Sequence, residues 1–398
     1  MMHTYPKKTL RLIILFVNLA IPLGGMSTDI FLPSLPAMTA FFMSSDTMIQ
    51  LSITFFALGL SIGQFIIGPI SDNLGRRKPV FLGILLQITT TLTIIFTRSI
   101  ITVDFARFLQ GLGAAVMMVP SRAMLADCFH GAQLKRHFTY ITASFSIGPI
   151  IAPFIGGYLQ HTFGWHSNFI FIVIFLSLLL LMIFALPETM EHRKALSMKK
   201  IKNSYSYFLN NTFFMSSVLL AGVFLAFTSI FNVTGPFLIQ ETLHRSAIFY
   251  GYMALLSGAC WFFGNLTNRY TQQIHWKTKL HIVMPLMILN GIIFVYISST
   301  TISIAKFIVP VLIMIYLAGI LFPMMVAETL SQFKKDAGSA NGILFSLVWI
   351  VFSLFTFIGS QIHPNNALPI AYLYLCIAII SYLFFILRFI NCDIDSTP

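Results

Sequence analysis

Charge is what this sequence has least of. Of 398 residues only 9% are Asp, Glu, Lys or Arg, whereas 57% are hydrophobic and the mean hydropathy is +0.86; soluble domains carry about a quarter charged residues. A chain this poor in charge does not form an ordinary water-exposed globule. Cysteine is scarce as well: Cys128, Cys260, Cys376 and Cys392 share no short spacing, which excludes a disulfide framework or a thiolate zinc site and leaves four free thiols. The Gly-x-x-x-x-Gly-Lys-[Ser/Thr] loop is missing, so no nucleotide is implied, and the ten histidines show no His-Glu-x-x-His spacing for a metal. Strict polar/apolar alternation is missing too, which argues against an outer-membrane barrel.

What is there instead is a series of continuous apolar runs, near residues 11–33, 48–70, 79–97, 102–125, 138–159, 168–187, 212–235, 247–267, 281–299, 307–327, 338–361 and 368–390. A bilayer-spanning helix uses about 20 apolar residues, so twelve spans take up about 240 residues, leaving little for any extramembrane domain. The expected fold is all-α: twelve transmembrane helices in two pseudo-symmetric six-helix bundles. The first run follows Lys7 and Lys8 and continues past Leu32 without a small-residue cleavage site, so it reads as a retained span.

The 24 Lys+Arg against 12 Asp+Glu do not mark a nucleic-acid binder, because the charges lie between the spans. With the N-terminus inside, twenty of the 24 basic residues fall on the cytoplasmic side. Arg98, Arg245 and Lys306 fall outside, and Arg107 lies within a span. Both termini are then cytoplasmic. The longest connection, from Pro187 to Asn211, is basic and divides the chain near its midpoint, which gives an N-terminal bundle over 1–187, a cytoplasmic linker over 188–211 and a C-terminal bundle over 212–398. Gly68 with Asp72 closes span 2 and Gly264 with Asn268 closes span 8. Asp127 and Glu328 close spans 4 and 10. Both pairings repeat at about half the chain length, as in a duplicated transporter half.

The loop after span 2 reads Gly68-Pro-Ile-Ser-Asp72-Asn-Leu-Gly75-Arg76-Arg77-Lys78-Pro79. An acid at a helix C-terminus opposes the helix dipole, so Asp72 needs cationic partners, while the glycines permit close helix approach and a tight turn. This pattern resembles the loop between spans 2 and 3 of the major facilitator superfamily, with Asn73 in place of a frequent Arg. Three further stretches extend the resemblance. Span 5 carries Gly148-Pro149-Ile-Ile-Ala152-Pro153-Phe-Ile-Gly156-Gly157, similar to the span-5 motif of proton-coupled antiporters but with Ala152 where Gly is usual. Span 4 carries Arg107-Phe-Leu-Gln110-Gly111, and span 1 carries Met26-Ser-Thr-Asp29-Ile-Phe-Leu-Pro33. In order and spacing the chain resembles the Bcr/CflA branch, the bicyclomycin and chloramphenicol resistance exporters among the twelve-span drug/proton antiporters.

Asp29 is the residue the sequence singles out. An ionised carboxylate at membrane depth costs at least a few kcal/mol, so it should face the bundle interior or a wet cavity. It stands four residues, ~6 Å, from Pro33, and Arg107 stands about five residues, ~7 Å, inside its own span, so the two share a depth. Proton or substrate coupling is one role for the pair; a static ion pair that fixes packing is the other. The resemblance implies the first, since family antiporters use an acid in span 1 and a matching Arg in span 4. Asp104, at the start of span 4, reads as an N-cap acid. Asp127 and Glu328 are expected beside Arg136 and Lys334. Gln64, Gln110 and Asn232 offer hydrogen bonds to a cavity or between helices.

Proton-coupled efflux of small amphiphilic compounds across a bacterial inner membrane is thus the leading expectation, driven by the proton gradient with no cofactor. The partners expected are a small-molecule substrate, protons and the lipid bilayer, with no nucleic acid, and the protein is expected to act as a monomer. Export of a native metabolite such as a siderophore or polyamine, or proton symport, is the competing reading within the class. An intramembrane enzyme needs a nucleophile–base pair, a metal site or clustered aspartates, and no span carries one.

Overall fold

The computed structural model describes residues 5–191, 193, 197–300, 303–333, 337–362 and 366–389, and leaves out the side chains of residues 135, 139, 142–147, 200 and 337. Lys194, Lys334, Lys335 and Cys392 lie outside the described residues, as do the side chains of Lys135 and Lys200. The described elements are helical because hydrocarbon offers no partner to a backbone N–H or C=O, and a helix satisfies each group within its own segment.

In chain order the helices are α1 (Lys7–Asp29), α2 (Leu35–Phe42), α3 (Asp46–Leu74), α4 (Arg77–Phe96), α5 (Ile100–Cys128), α6 (Gly131–Phe163), α7 (His166–Phe184), α8 (Met198–Asn210), α9 (Thr212–Phe237), α10 (Ala247–Tyr270), α11 (Trp276–Ser298), α12 (Ile304–Gln332), α13 (Ala337–Ser360) and α14 (Leu368–Phe389). A single 3-10 turn, Leu32–Ser34, continues α1 into α2, and a π turn, Leu238–Thr242, extends α9. Among the described residues eleven segments are long and apolar enough to cross a membrane, and α6 is a twelfth long helix. Several helices run past the apolar cores read from sequence, α6 for example by seven residues at its start and four at its end, because polar ends continue helically beyond the hydrocarbon. Helix α8 falls inside what reads in sequence as a plain linker. Its polar composition hides an amphipathic period that buries Phe208.

The pairings within the first half, α3 with α5, α4 with α5 and α4 with α7, repeat in the second half as α10 with α12, α11 with α12 and α11 with α14. The halves meet along two matching seams, α3 against α13 and α6 against α10. Close approach is built from glycine: a Cβ on Gly59 would stand 1.9 Å from the Phe108 carbonyl oxygen, and one on Gly111 2.0 Å from that of Phe56. Gly264 likewise faces the Tyr316 carbonyl oxygen at 2.3 Å, but its counterpart Gly68 has nothing within 4 Å, so the close approach expected there does not occur.

Candidate functional site

Asp29 ends α1 and is 7% exposed; Arg107, in the second turn of α5, is fully buried. The two are not in ion-pair contact. Arg107 instead donates through one terminal nitrogen to the Ser27 carbonyl oxygen at 2.9 Å and to Gln110 Oε1 at 2.5 Å, and Gln110 Nε2 passes the chain on to Thr91 Oγ1 at 2.7 Å. Its guanidinium carbon lies 4.3 Å from the ring centroids of both Phe31 and Phe56, so two aromatic faces enclose the cation where water cannot. Arg107 therefore docks on the backbone two residues before Asp29 rather than on its carboxylate. The depth argument is met, but the side chains find different partners.

The carboxylate's partner comes from the other half of the molecule. Asn232 Nδ2 on α9 donates to Asp29 Oδ1 at 3.2 Å. Around it, Gln50 Nε2 donates to the Val233 carbonyl at 3.1 Å, Gln240 Nε2 to the Pro33 carbonyl at 3.0 Å, and Thr54 and Thr356 share a hydrogen bond of 2.9 Å. Nearer the middle, Ser61 and Ser346 each donate to the other's carbonyl at 2.8 Å. These contacts close the seam at the end of the bundle away from the basic loops. Gln64 is half-buried and belongs to none of them.

At the basic end the loop after α3 forms a second cluster. Gly75 takes φ +92°, a conformation costly for other residues, and turns the chain so that Arg76 folds back. Arg76 reaches Asp72 Oδ1 at 2.6 Å and Asp127 Oδ2 at 3.0 Å, while Thr189 donates to Asp127 at 3.0 Å. Asp127 thus pairs with Arg76 and not with Arg136, because the α3–α4 turn brings Arg76 across the end of α5. Burial works against the charge of Arg76, but its hydrogen bonds to Asp127 and Asp72 outweigh this and hold the guanidinium above the ordinary arginine value. Arg77 donates to the Ile183 and Phe184 carbonyls at the end of α7 at 3.1 and 3.0 Å.

Sequence reasoning missed Glu188 here. Its carboxylate accepts from the backbone N–H of Arg76 at 2.8 Å and of Arg77 at 3.1 Å, and Tyr5 Oη donates to its carbonyl at 2.8 Å. The available signal was an acid placed one residue after Pro187, where a span ends. No signal picked out Phe31 and Phe56 among 41 phenylalanines.

Residues 17–356 match the family described as Major Facilitator Superfamily. The chain belongs to that superfamily. As a superfamily member it is a multi-pass membrane transporter rather than an enzyme. It is 30% identical to the MFS-type transporter YdgK of Bacillus subtilis over 392 residues, 95% of each chain. It is 25% identical to the bicyclomycin resistance protein homolog of Haemophilus influenzae, over 92% of this chain and 93% of that one. With multidrug resistance protein D of Escherichia coli it shares 22% identity over 84% and 85%. A solved D-xylose-proton symporter superposes with a TM-score of 0.74 at 15% identity, covering 94% of this chain and 97% of that one, and so shares the fold.

Within this superfamily member the span-5 stretch does a packing task on both sides. A Cβ on Gly156 would stand 1.7 Å from the Ile30 carbonyl oxygen on the α1 side, and one on Gly157 2.7 Å from the Ala247 carbonyl oxygen on α10. Gly148 meets the Pro22 carbonyl at 2.8 Å and Gly251 meets that of Pro153 at 2.9 Å; Ala152 is fully buried and Pro149 lies inside the same helix. Helix α6 therefore touches the Asp29 end of α1 with one face and the other half of the molecule with the next.

Proposed function

We propose that this transporter exports small amphiphilic compounds from a bacterial cytoplasm in exchange for protons, by alternating access of its two halves, 1–187 and 212–398. The observation that carries the reading is the Asp29–Asn232 hydrogen bond: the acid at membrane depth in one half finds its partner in the other. A proton gained or lost by Asp29 changes that contact, so proton occupancy and the closure of the seam are linked. The positive-inside bias assigns the end with Arg76, Arg77 and α8 to the cytoplasm, with both termini there. The closed seam is then the outer one. The names of the bicyclomycin and multidrug resistance relatives, and the α6 glycines that join α1 to α10, favour drug antiport in a Bcr/CflA-like branch. The proton gradient supplies the energy without a cofactor, and one chain contains both halves, so a monomer suffices.

The test is substrate-driven proton flux in proteoliposomes loaded with a pH-sensitive dye, run over a panel of amphiphilic compounds. Wild-type protein should move protons opposite to the compound, and Asp29→Asn, inserted normally, should move neither. Full proton-coupled transport by Asp29→Asn would remove the acid from the mechanism, and protons moving with the compound would replace antiport by symport.

A further inference from the structure

Asp104 has no structural task. Helix α5 is capped by Ser99, whose side chain accepts from the Thr102 N–H at 3.4 Å, so Asp104 lies one turn too deep to be the N-cap acid expected from sequence. It is 6% exposed, and among the described residues it is in no ion pair and its Oδ1 is buried without a hydrogen-bond partner. Arg107 lies three residues on but points inward, held by Ser27 and by the Phe31 and Phe56 rings. An acceptor left in this way costs about 1–3 kcal/mol. An ionisable group inside a spanning segment marks a site by default.

Asp104 is one of the residues lining an almost wholly apolar cavity of about 520 Å³ between α3 and α5, together with Met48, Leu51, Phe55, Ile101, Phe105 and Phe108. The side chains of Ile101 and Phe105 are 71% and 64% exposed, so the cavity opens sideways from the bundle, where lipid lies, in the half of the bilayer away from the basic end. Its volume suits a ligand of drug size. Apolar walls, three aromatic rings for a cation to rest on, and one unpaired acid at depth define the occupant's chemistry.

We propose that this groove binds amphiphilic organic monocations that reach it through the membrane, with Asp104 as their counter-charge. An acyl chain fills such walls but leaves the acid unpartnered. A neutral compound does the same. The site is separate from Asp29 and stands on the groove's geometry, not on the export reading.

The probe is radiolabelled tetraphenylphosphonium, measured at equilibrium on full-length protein in dodecyl maltoside, which contributes no lipid ammonium group. Asp29→Asn is the background throughout, so that the central acid does not contribute. Saturable binding is expected there. Adding Asp104→Asn should weaken it at least tenfold, Asp104→Glu should keep it within about threefold, and Leu51→Trp, which fills the groove and leaves the acid in place, should abolish it. Size-exclusion elution and thermal unfolding establish that each variant is folded, and Leu51→Trp decides the matter if Asp104→Asn does not fold. Absence of binding in the background overturns the proposal, as does binding unaffected by both changes. Uncharged triphenylphosphine oxide binding as tightly would show an apolar pocket only, and displacement by a few phosphatidylethanolamine molecules per micelle would assign the groove to a lipid headgroup; either result overturns it. Asp104-dependent binding by a protein that exports nothing would defeat the export reading and leave the groove site intact.

Discussion

Asn232 and Asp29 are 203 residues apart in sequence and 3.2 Å apart in space, a side-chain hydrogen bond between the two halves at the depth of the buried acid. A net hydrogen bond of this kind contributes about 1 kcal/mol, or roughly fivefold in an equilibrium. Asn232→Ala should therefore move the balance of access states several-fold toward an open seam. Spin labels at Met43 and Arg245, exposed residues of the two halves at that end, report it as a larger long-distance population. An unchanged distribution would take Asn232 out of the closure.

Glycine substitutions should divide sharply along α3 and α6. Gly156→Ala sets a methyl against the Ile30 carbonyl and should cost about 1–3 kcal/mol through overpacking, read as a lowered Tm in detergent. Gly68→Ala meets open space and should leave Tm unchanged or raise it slightly, since alanine favours helix. Equal losses at the two positions would refute the packing account of the span-5 stretch.

Glu188 holds the backbone of Arg76 and Arg77, so Glu188→Ala should loosen the basic-end cluster and expose its neighbours. Cys128 adjoins Asp127 and is half-buried, which makes it a native reporter once the other three cysteines are replaced by serine. N-ethylmaleimide should alkylate it several-fold faster in Glu188→Ala, and likewise in Asp127→Asn. An unaltered rate in both variants would mean that the cluster does not guard this end.

Because its two aspartates hold Arg76 above the ordinary arginine value, the part of the cluster's stability that comes from this arginine is present at every pH below that ordinary value and is lost only as pH rises beyond it. Labelling of Cys128, corrected for the thiolate fraction, should accordingly be flat between pH 7 and 9. A corrected rate that climbs steeply across that window would show a titrating group in the lock other than Arg76.

The sequence was most legible where one solvent imposes one answer. Hydrocarbon forces helices, so runs of apolar residues located the spans, and the low charge made Asp29 and Arg107 conspicuous at matching depths. Partners were harder to read. Arg107 chose a carbonyl, an amide and two rings over the acid, and a carbonyl on the neighbouring helix carries no signature in sequence. Asp104 looked like a cap because its distance from the helix start could be off by a turn. The helix in the linker was hidden because its polar face outweighs its apolar one in any average taken along the chain.

Glu188 ties the start of the connection to the N-terminal half, and Tyr205 on α8 packs on the Phe65 ring and donates to the Phe65 carbonyl. On its other side α8 sets the Phe208 ring against Phe214 and Phe333 of the C-terminal half. The helix is thus clasped by both halves, and it can follow the C-terminal half only by letting go of Phe65. Parting of the halves on this side therefore works against a tyrosine hydroxyl and a phenylalanine ring on a helix that does not span the bilayer, so a change at either would shift the balance without touching a spanning helix.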